Sequence, residues 1–154
     1  MSQFKFQLES VERLRQRERD EASEAYQQAL LAKKKLEEQI AELQEEHDAQ
    51  VVLQTKHMQN QIDVQRIMES RRYQVVLLAD IAGIESTVRE IEGEIERRRL
   101  ILVQREQTLK TLEKLRERQL EQWKKDAARK TQAALDDWAG FTYWKAHVAT
   151  KDDN

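Results

Sequence analysis

The chain has no cysteine and no proline, and only three glycines in 154 residues. Without cysteine there is no disulfide and no thiolate metal site, which fits a reducing compartment. Without proline nothing forces a helix to break over long stretches. Long apolar runs are missing too: the longest, residues 75–79, falls far short of the ~20 residues of a membrane span. Residues 1–12 alternate Phe4, Phe6 and Leu8 with polar residues. They lack the continuous apolar segment of a signal peptide, so none is expected. The composition therefore points to the cytoplasm, with any membrane association made through a partner and no direct insertion.

The residues that are present suit long helices. Hydrophobic residues are 39% and charged residues 36%, with a net charge of −2. Ala, Glu, Lys, Leu, Arg and Gln dominate, the mix of coiled coils. Nine positions, Ile84, Val88, Ile91, Ile95, Arg98, Leu102, Arg105, Leu109 and Leu112, follow one another at alternating spacings of four and three. That is a heptad seam, and so narrow an apolar stripe needs a partner helix to cover it. The first 60 or so residues carry a looser stripe: Phe4, Leu8, Val11, Ala22, Ala25 or Tyr26, Ala29, Leu36, Ile40 and Leu43, then His47, Val51, Met58 and Ile62. Ser2 or Ser10 is a weak capping candidate for its start.

Between residues 58 and 72 the pattern falters, and Asn60 and Asp63 are good turn residues. The second stripe resumes at Tyr73, Leu77, Ile81 and Ile84 and runs through Leu112, Leu115 and Leu120 to Trp123. Two stripes around one polar break predict an all-α fold, a long antiparallel two-helix coiled-coil hairpin over residues 1–140. Helix one spans about residues 3–60, the turn region about 58–72 and helix two about 73–138, ending near Gly140. Residues 141–154 follow as an aromatic and then frayed tail. With ~60 residues per arm at ~1.5 Å each, such a hairpin is on the order of 90 Å long. The alternative, a continuous parallel dimer of about 200 Å, is less consistent with a single break near the midpoint.

Charge is uneven. Residues 97–130 hold twelve Lys or Arg against five Asp or Glu, whereas residues 31–96 hold eight against fourteen. Either the two arms complement each other across the hairpin, as coiled-coil flanks do, or part of the basic stretch faces an acidic partner protein. Nucleic acid is not expected, because aromatic and basic residues do not interleave and the net charge is negative.

No catalytic constellation stands out, so an enzyme is not expected. His47 and His57 are too far apart for a metal pair on one helical turn, and no phosphate-binding glycine motif occurs. No cofactor or metal is implied. His47 falls on a seam position, where it reads as a tolerated register-setter rather than a ligand. Arg98 and Arg105 also fall on the seam. Their aliphatic stems are able to cover it while the guanidinium groups reach out to water; alternatively they weaken the seam so that it yields locally. Trp138, Phe141, Tyr143 and Trp144 form an aromatic cluster. It either packs back on Phe4, Phe6 and Trp123 or stands exposed as a partner anchor.

The opening Phe4-x-Phe6-x-Leu8-Glu9-x-Val11-x-x-x-Arg15, followed by Glu18 and Ala22, resembles the N-terminus of FliJ-type proteins of the bacterial flagellar export apparatus. Leu112-Glu113-Lys114-Leu115-Arg116-Glu117-Arg118 is similar to their second-helix motif, and Leu135-Asp136-Asp137-Trp138-Ala139 to the segment that closes that helix. The resemblance covers roughly residues 4–139, and it rests on the ordered combination of motifs rather than on any one of them. It implies a stalk-like coiled-coil hairpin of the flagellar type III export machine, cytoplasmic and peripherally associated with the inner face of the cell membrane. By the same resemblance, the end carrying both termini enters the hexameric export ATPase FliI and promotes ring assembly. The middle contacts the export-gate protein FlhA, and export chaperones are escorted. Phe4, Phe6, Leu8, Trp123 and Trp138 then belong to the ATPase end. Alignment through the shared motifs puts the gate contact on Gln39, Leu43, Tyr73, Leu77, Asp80 and Ile84. Asp80 is charged where the family tends to be small, and residues 141–154 have no clear counterpart. A stalk subunit of a rotary ATPase or of a virulence secretion system, or a generic structural coiled coil, are the competing readings.

Overall fold

In the computed structural model, which describes residues 2–59 and 61–151, nearly the whole chain is held in two helices. The first, α1, is Glu9–Gln59, and the second, α2, is Val64–Lys151. There is no strand among the described residues. The fold is all-α, a helical hairpin, as the periodicity implies. No described residue has a positive φ, so even the three glycines keep right-handed helical backbone.

The ends of the helices differ from the sequence expectations in instructive ways. α1 begins at Glu9, not near residue 3. Ser10 therefore lies inside the first turn, and Ser2 lies outside the helix, so neither caps it. The first turn carries Glu9 and Glu12 and the last turn Lys56 and His57, each sign matched to the helix dipole at its own end. α2 begins at Val64, nine residues before Tyr73. Its start is set by Asp63, whose carboxylate accepts hydrogen bonds from the backbone amides of Gln65 (3.1 Å) and Arg66 (3.4 Å). These amides would otherwise lack partners. Asp63 was one of two expected turn residues; the other, Asn60, lies outside the described residues. α2 does not stop near Gly140 but continues to Lys151, so residues 145–151 are helical. A glycine ends a helix when it adopts the left-handed conformation. Gly140 does not, and its cost in a helix interior, about 1 kcal/mol, is carried by good helix formers around it.

The chain divides into two units, and α1 and α2 contribute to both. In the unit formed by Arg17–Glu106, the helices run antiparallel: partners fall in number along α2 as they rise along α1. Glu18 faces Arg105, Ala25 faces Arg98, Lys33 faces Glu92, Glu46 faces Tyr73 and Gln50 faces Ser70. Its deepest apolar residues are Ala29, Leu77 and Ile81. The unit formed by Met1–Gln16 and Gln107–Asn154 buries Phe6 and Leu109 together with Glu12, whose carboxylate accepts from Arg116 at 3.3 Å. There Phe4 packs on Trp123, ring centroids 6.2 Å apart. The same antiparallel sense holds within this unit.

Eight of the nine seam positions are buried or half-buried, and only Arg105 is exposed. The seam continues through Leu120 and Trp123, whereas Leu115 is exposed. On α1 the covered positions are Ala22, Tyr26, Ala29, Lys33, Leu36, Ile40, Leu43, His47, Gln50, Gln54 and His57, an unbroken four-three series. Val51, Met58 and Ile62, expected to continue the stripe, are exposed instead. Approaching the turn, the covered face becomes polar on both helices. Gln74 donates to Gln54 at 2.7 Å, and Ser70 donates to the side-chain oxygen of Gln50 at 3.3 Å. The heptad faltered in the sequence because its contents changed character there, while the helix itself went on.

Candidate interaction surfaces

The two arginines on the seam find partners on α1. The Arg98 guanidinium is half-covered. Its Nη1 donates to the carbonyl oxygen of Ala25 at 2.7 Å and its Nε to Glu94 at 2.9 Å. Arg105 Nη1 lies 3.4 Å from Glu18. Arg98 thus does not reach away into water; it turns inward and clamps α1 to α2 at one register, a role polar seam residues take at some cost in stability. Lys33 and Glu92 make a similar bridge at 3.2 Å, and their hydrogen bond raises the lysine pKa. Arg97 and Arg98 together lower the pKa of Glu94, and Arg99 lowers that of Glu96. Lys33–Glu92 and Arg105–Glu18 join the two helices, whereas the pairs of Glu94 and Glu96 lie within α2. All are exposed enough for water and salt to screen them, so each contributes little to stability.

The six residues aligned with a gate contact separate into two groups, all within the Arg17–Glu106 unit. Gln39, Tyr73 and Asp80 are exposed and available to a partner. Leu43 and Ile84 are half-buried on the seam, and Leu77, at 3% exposure, is core. Tyr73 is tied down by its own hydroxyl, which donates to Glu46. That hydrogen bond, with partial burial and the nearby charges of Glu46 and Asp80, raises the tyrosine pKa. The seam position beside it belongs to Gln74, so Tyr73 stands at the rim rather than on the stripe. Leu77 supports this surface from beneath and does not itself present to solvent.

The residues assigned to the ATPase, within the unit of Met1–Gln16 and Gln107–Asn154, also divide. Phe6 is buried, Phe4 and Trp123 cover one another, Leu8 is partly exposed and Trp138 is 68% exposed. The aromatic cluster does not pack back on Phe4, Phe6 or Trp123. Every described residue from 128 to 151 is exposed, with Phe141, Tyr143 and Trp144 among them. These side chains touch only their helical neighbours: Phe141 and Trp144 centroids are 6.2 Å apart, and Tyr143 and His147 4.1 Å. The sequence held a signal for this helical extension. Beyond Trp123 come two steps of four, to Ala127 and Thr131, and then Ala134, Trp138, Phe141, Lys145 and Val148 resume the three-four spacing, so the helical pattern persists where no covering helix is seen among the described residues.

Among the described residues there is no cluster of three metal-ligating side chains, and no helix is long and apolar enough to cross a membrane. His47 bonds only its neighbour Asp48, at 3.4 Å. A helical hairpin whose ends carry uncovered aromatic and apolar residues defines a class of protein that works by docking to others. The family model for the flagellar FliJ protein matches residues 4–147, and the chain belongs to that family. The match extends past Ala139, so most of the aromatic extension lies inside the family's span. The family is that of a structural component of flagellar protein export. No curated protein and no solved structure matched the chain.

Proposed function

We propose that the chain is the stalk-like component of the flagellar export apparatus that promotes assembly of the export ATPase FliI, links it to the export gate FlhA and escorts export chaperones. The observation that carries the ATPase end of this reading is the uncovered helix from residue 128 to 151. Four large aromatics stand on it within seven residues, at 59–68% exposure. Aromatic side chains supply large buried area at little entropic cost and concentrate at interface hot spots. An isolated helix has no use for them, and a ring pore lined by complementary surface does. Phe4, Phe6, Leu8 and Trp123 act as the base of this end, and Trp138 as part of its contact face.

The gate contact rests on Gln39, Tyr73 and Asp80, with Leu43, Leu77 and Ile84 shaping the surface from the seam. The protein acts at the inner face of the cell membrane through these partners and not by insertion. The family match speaks against a stalk of a rotary ATPase and against a generic coiled coil. The test is co-purification of the full chain with FliI and, separately, with the FlhA cytoplasmic domain. Trp138→Ala with Phe141→Ala should abolish FliI capture and spare FlhA capture. Tyr73→Ala with Asp80→Lys should do the reverse. Retention of both partners by both variants would defeat the assignment of ends.

A further inference from the structure

Near the turn, α2 carries two stripes. The covered one holds Ile67, Ser70, Gln74, Leu77 and Ile81. The other runs along Val64, Met68, Arg71, Val75, Leu78 and Ala82, again at alternating spacings of four and three, and every one of these residues is exposed. Val64 is 63% exposed, Met68 51%, Val75 65% and Leu78 50%. The solvent face is thus as apolar as the covered one: serine and glutamine stand against α1 beside Ile67, Leu77 and Ile81, while valine, methionine and leucine are turned to solvent. Around Met68 and Val75 the surface forms a shallow groove with Arg71, Arg72 and Val76. Among the described residues, Arg71 and Arg72 have no carboxylate within ion-pair distance, although Arg66 is paired with Asp63. A heptad stripe of this kind is the docking face of a two-stranded coiled coil.

We propose that residues 64–82 of α2 dock an amphipathic helix of a partner protein, one that lays an apolar stripe along Val64, Met68, Val75 and Leu78 and places a carboxylate against Arg71 and Arg72. The occupant is not a second copy of this chain. Two copies pairing through this stripe would bring four arginines within two helical turns. The positions flanking the stripe, Gln65, Ile67, Arg72, Gln74, Ala79 and Ile81, hold no acid to offset them. Nor is it an anionic membrane. Residues 42–85 hold eight Asp or Glu against four Lys or Arg, so the surroundings repel anionic lipid while two arginines still attract a local carboxylate. The stripe spans about 27 Å at 1.5 Å per residue, which calls for a partner helix of some five turns. It lies roughly 180° around α2 from Tyr73, on the opposite side of the helix, so both faces are able to hold partners at once. The inference stands independently of the reading of the export apparatus.

The experiment uses the full chain and a fluorescein-labelled synthetic helix of nineteen residues. The probe has leucine at its heptad positions and glutamate at the position that meets Arg71. Binding is read by fluorescence anisotropy at physiological salt. The expected result is saturable binding that Val75→Glu weakens at least tenfold. Arg71→Glu should weaken it several-fold and be rescued by a probe with lysine in place of that glutamate. Met68→Ser is a second variant on the same face, and both Met68 and Val75 are exposed enough to leave the melting temperature unchanged. The proposal fails if the probe does not bind, or if binding ignores Val75→Glu and Met68→Ser. It also fails if the wild-type chain sediments as a dimer that Val75→Glu makes monomeric. Capture of the chain by phosphatidylglycerol vesicles, lost with Val75→Glu, would overturn it in favour of a lipid surface.

Discussion

Two stretches of α2 in the same unit are built to opposite rules. From Leu77 to Leu102 it sets aliphatic side chains against α1 and most charges outside, with Arg98 and its partner Glu94 half-buried among them. From Val64 to Gln74 it sets isoleucine, serine and glutamine toward α1 and leaves valine and methionine uncovered. The first arrangement draws its stability from area removed from water, about 25 cal/mol per Å². The second draws on exchanged hydrogen bonds, which contribute little net energy but are directional and select one register. Apolar residues near the turn are therefore not needed for pairing and remain free for a partner. Where the helices hold each other and where they present themselves are separate segments.

The sharpest way to break this contrast is to truncate one residue from each face. Leu77→Ala, at 3% exposure, should cost about 2–3 kcal/mol in urea unfolding. Val75→Ala, two residues away and outward, should stay within about 0.5 kcal/mol. Equal costs would show that the outer stripe is covered within the chain. Next in size is the turn. Asp63→Ala should cost ~1 kcal/mol by removing the cap of α2, and Asp63→Asn should recover most of it. Circular dichroism melts of the two variants separate a capping role from a general loss of charge.

A gain tests the polar seam. Gln54→Leu with Gln74→Leu replaces both members of a bonded pair, so no orphaned group remains, and should raise the melting temperature by about 2–4 °C. A fall would mean that the amide bridge contributes more than its net hydrogen-bond energy. The smallest effect is on pH dependence. The Tyr73 pKa is raised above its ordinary value near 10 by the bond to Glu46, so the neutral hydroxyl is favoured by folding. That contribution is complete below pH 10 and is lost as pH rises through the raised value. Absorbance at 295 nm should show one tyrosine ionising late, and Tyr73→Phe should remove it. At the acid end the signs reverse. Glu94 and Glu96, held low by their arginines, stabilise above the ordinary carboxylate range and lose that contribution as pH falls through their lowered values.

The hairpin was legible because an apolar heptad admits few alternatives: Ile84 through Leu112 name one face of one helix, and nearly all of them are covered. α1 ends at Gln59 and α2 begins at Val64, inside the expected turn region 58–72, but α2 begins nine residues before Tyr73, and for a physical reason. Sequence reading follows apolar residues, and near the turn these sit on the wrong side. Gln74, not Tyr73, holds the stripe position there, and Gln50, Gln54 and His57, not Val51 and Met58, hold the seam of α1. Gly140 misled in the same way, since a glycine marks a helix end only when the backbone turns left-handed there. Arg98 is a case where position was legible and role was not. That it turns inward to the Ala25 carbonyl depends on a rotamer no spacing encodes.

The two surfaces were legible in part. The aromatics from Trp138 to Trp144 were visible as a cluster, but whether they folded back depended on where α1 begins. Phe4, ahead of the start of α1 at Glu9, meets Trp123 and not the cluster. Of the gate residues carried over by resemblance, Leu77 shows the limit of alignment: the match in position is sound, and the side chain is in the core.

Stimulation of FliI ATPase activity by the purified full chain tests the account most directly. The wild-type chain should raise the rate, and Trp138→Ala with Phe141→Ala and Trp144→Ala should remove the stimulation without changing the melting temperature. Stimulation undiminished in the triple variant, or none from the wild-type chain, would contradict it.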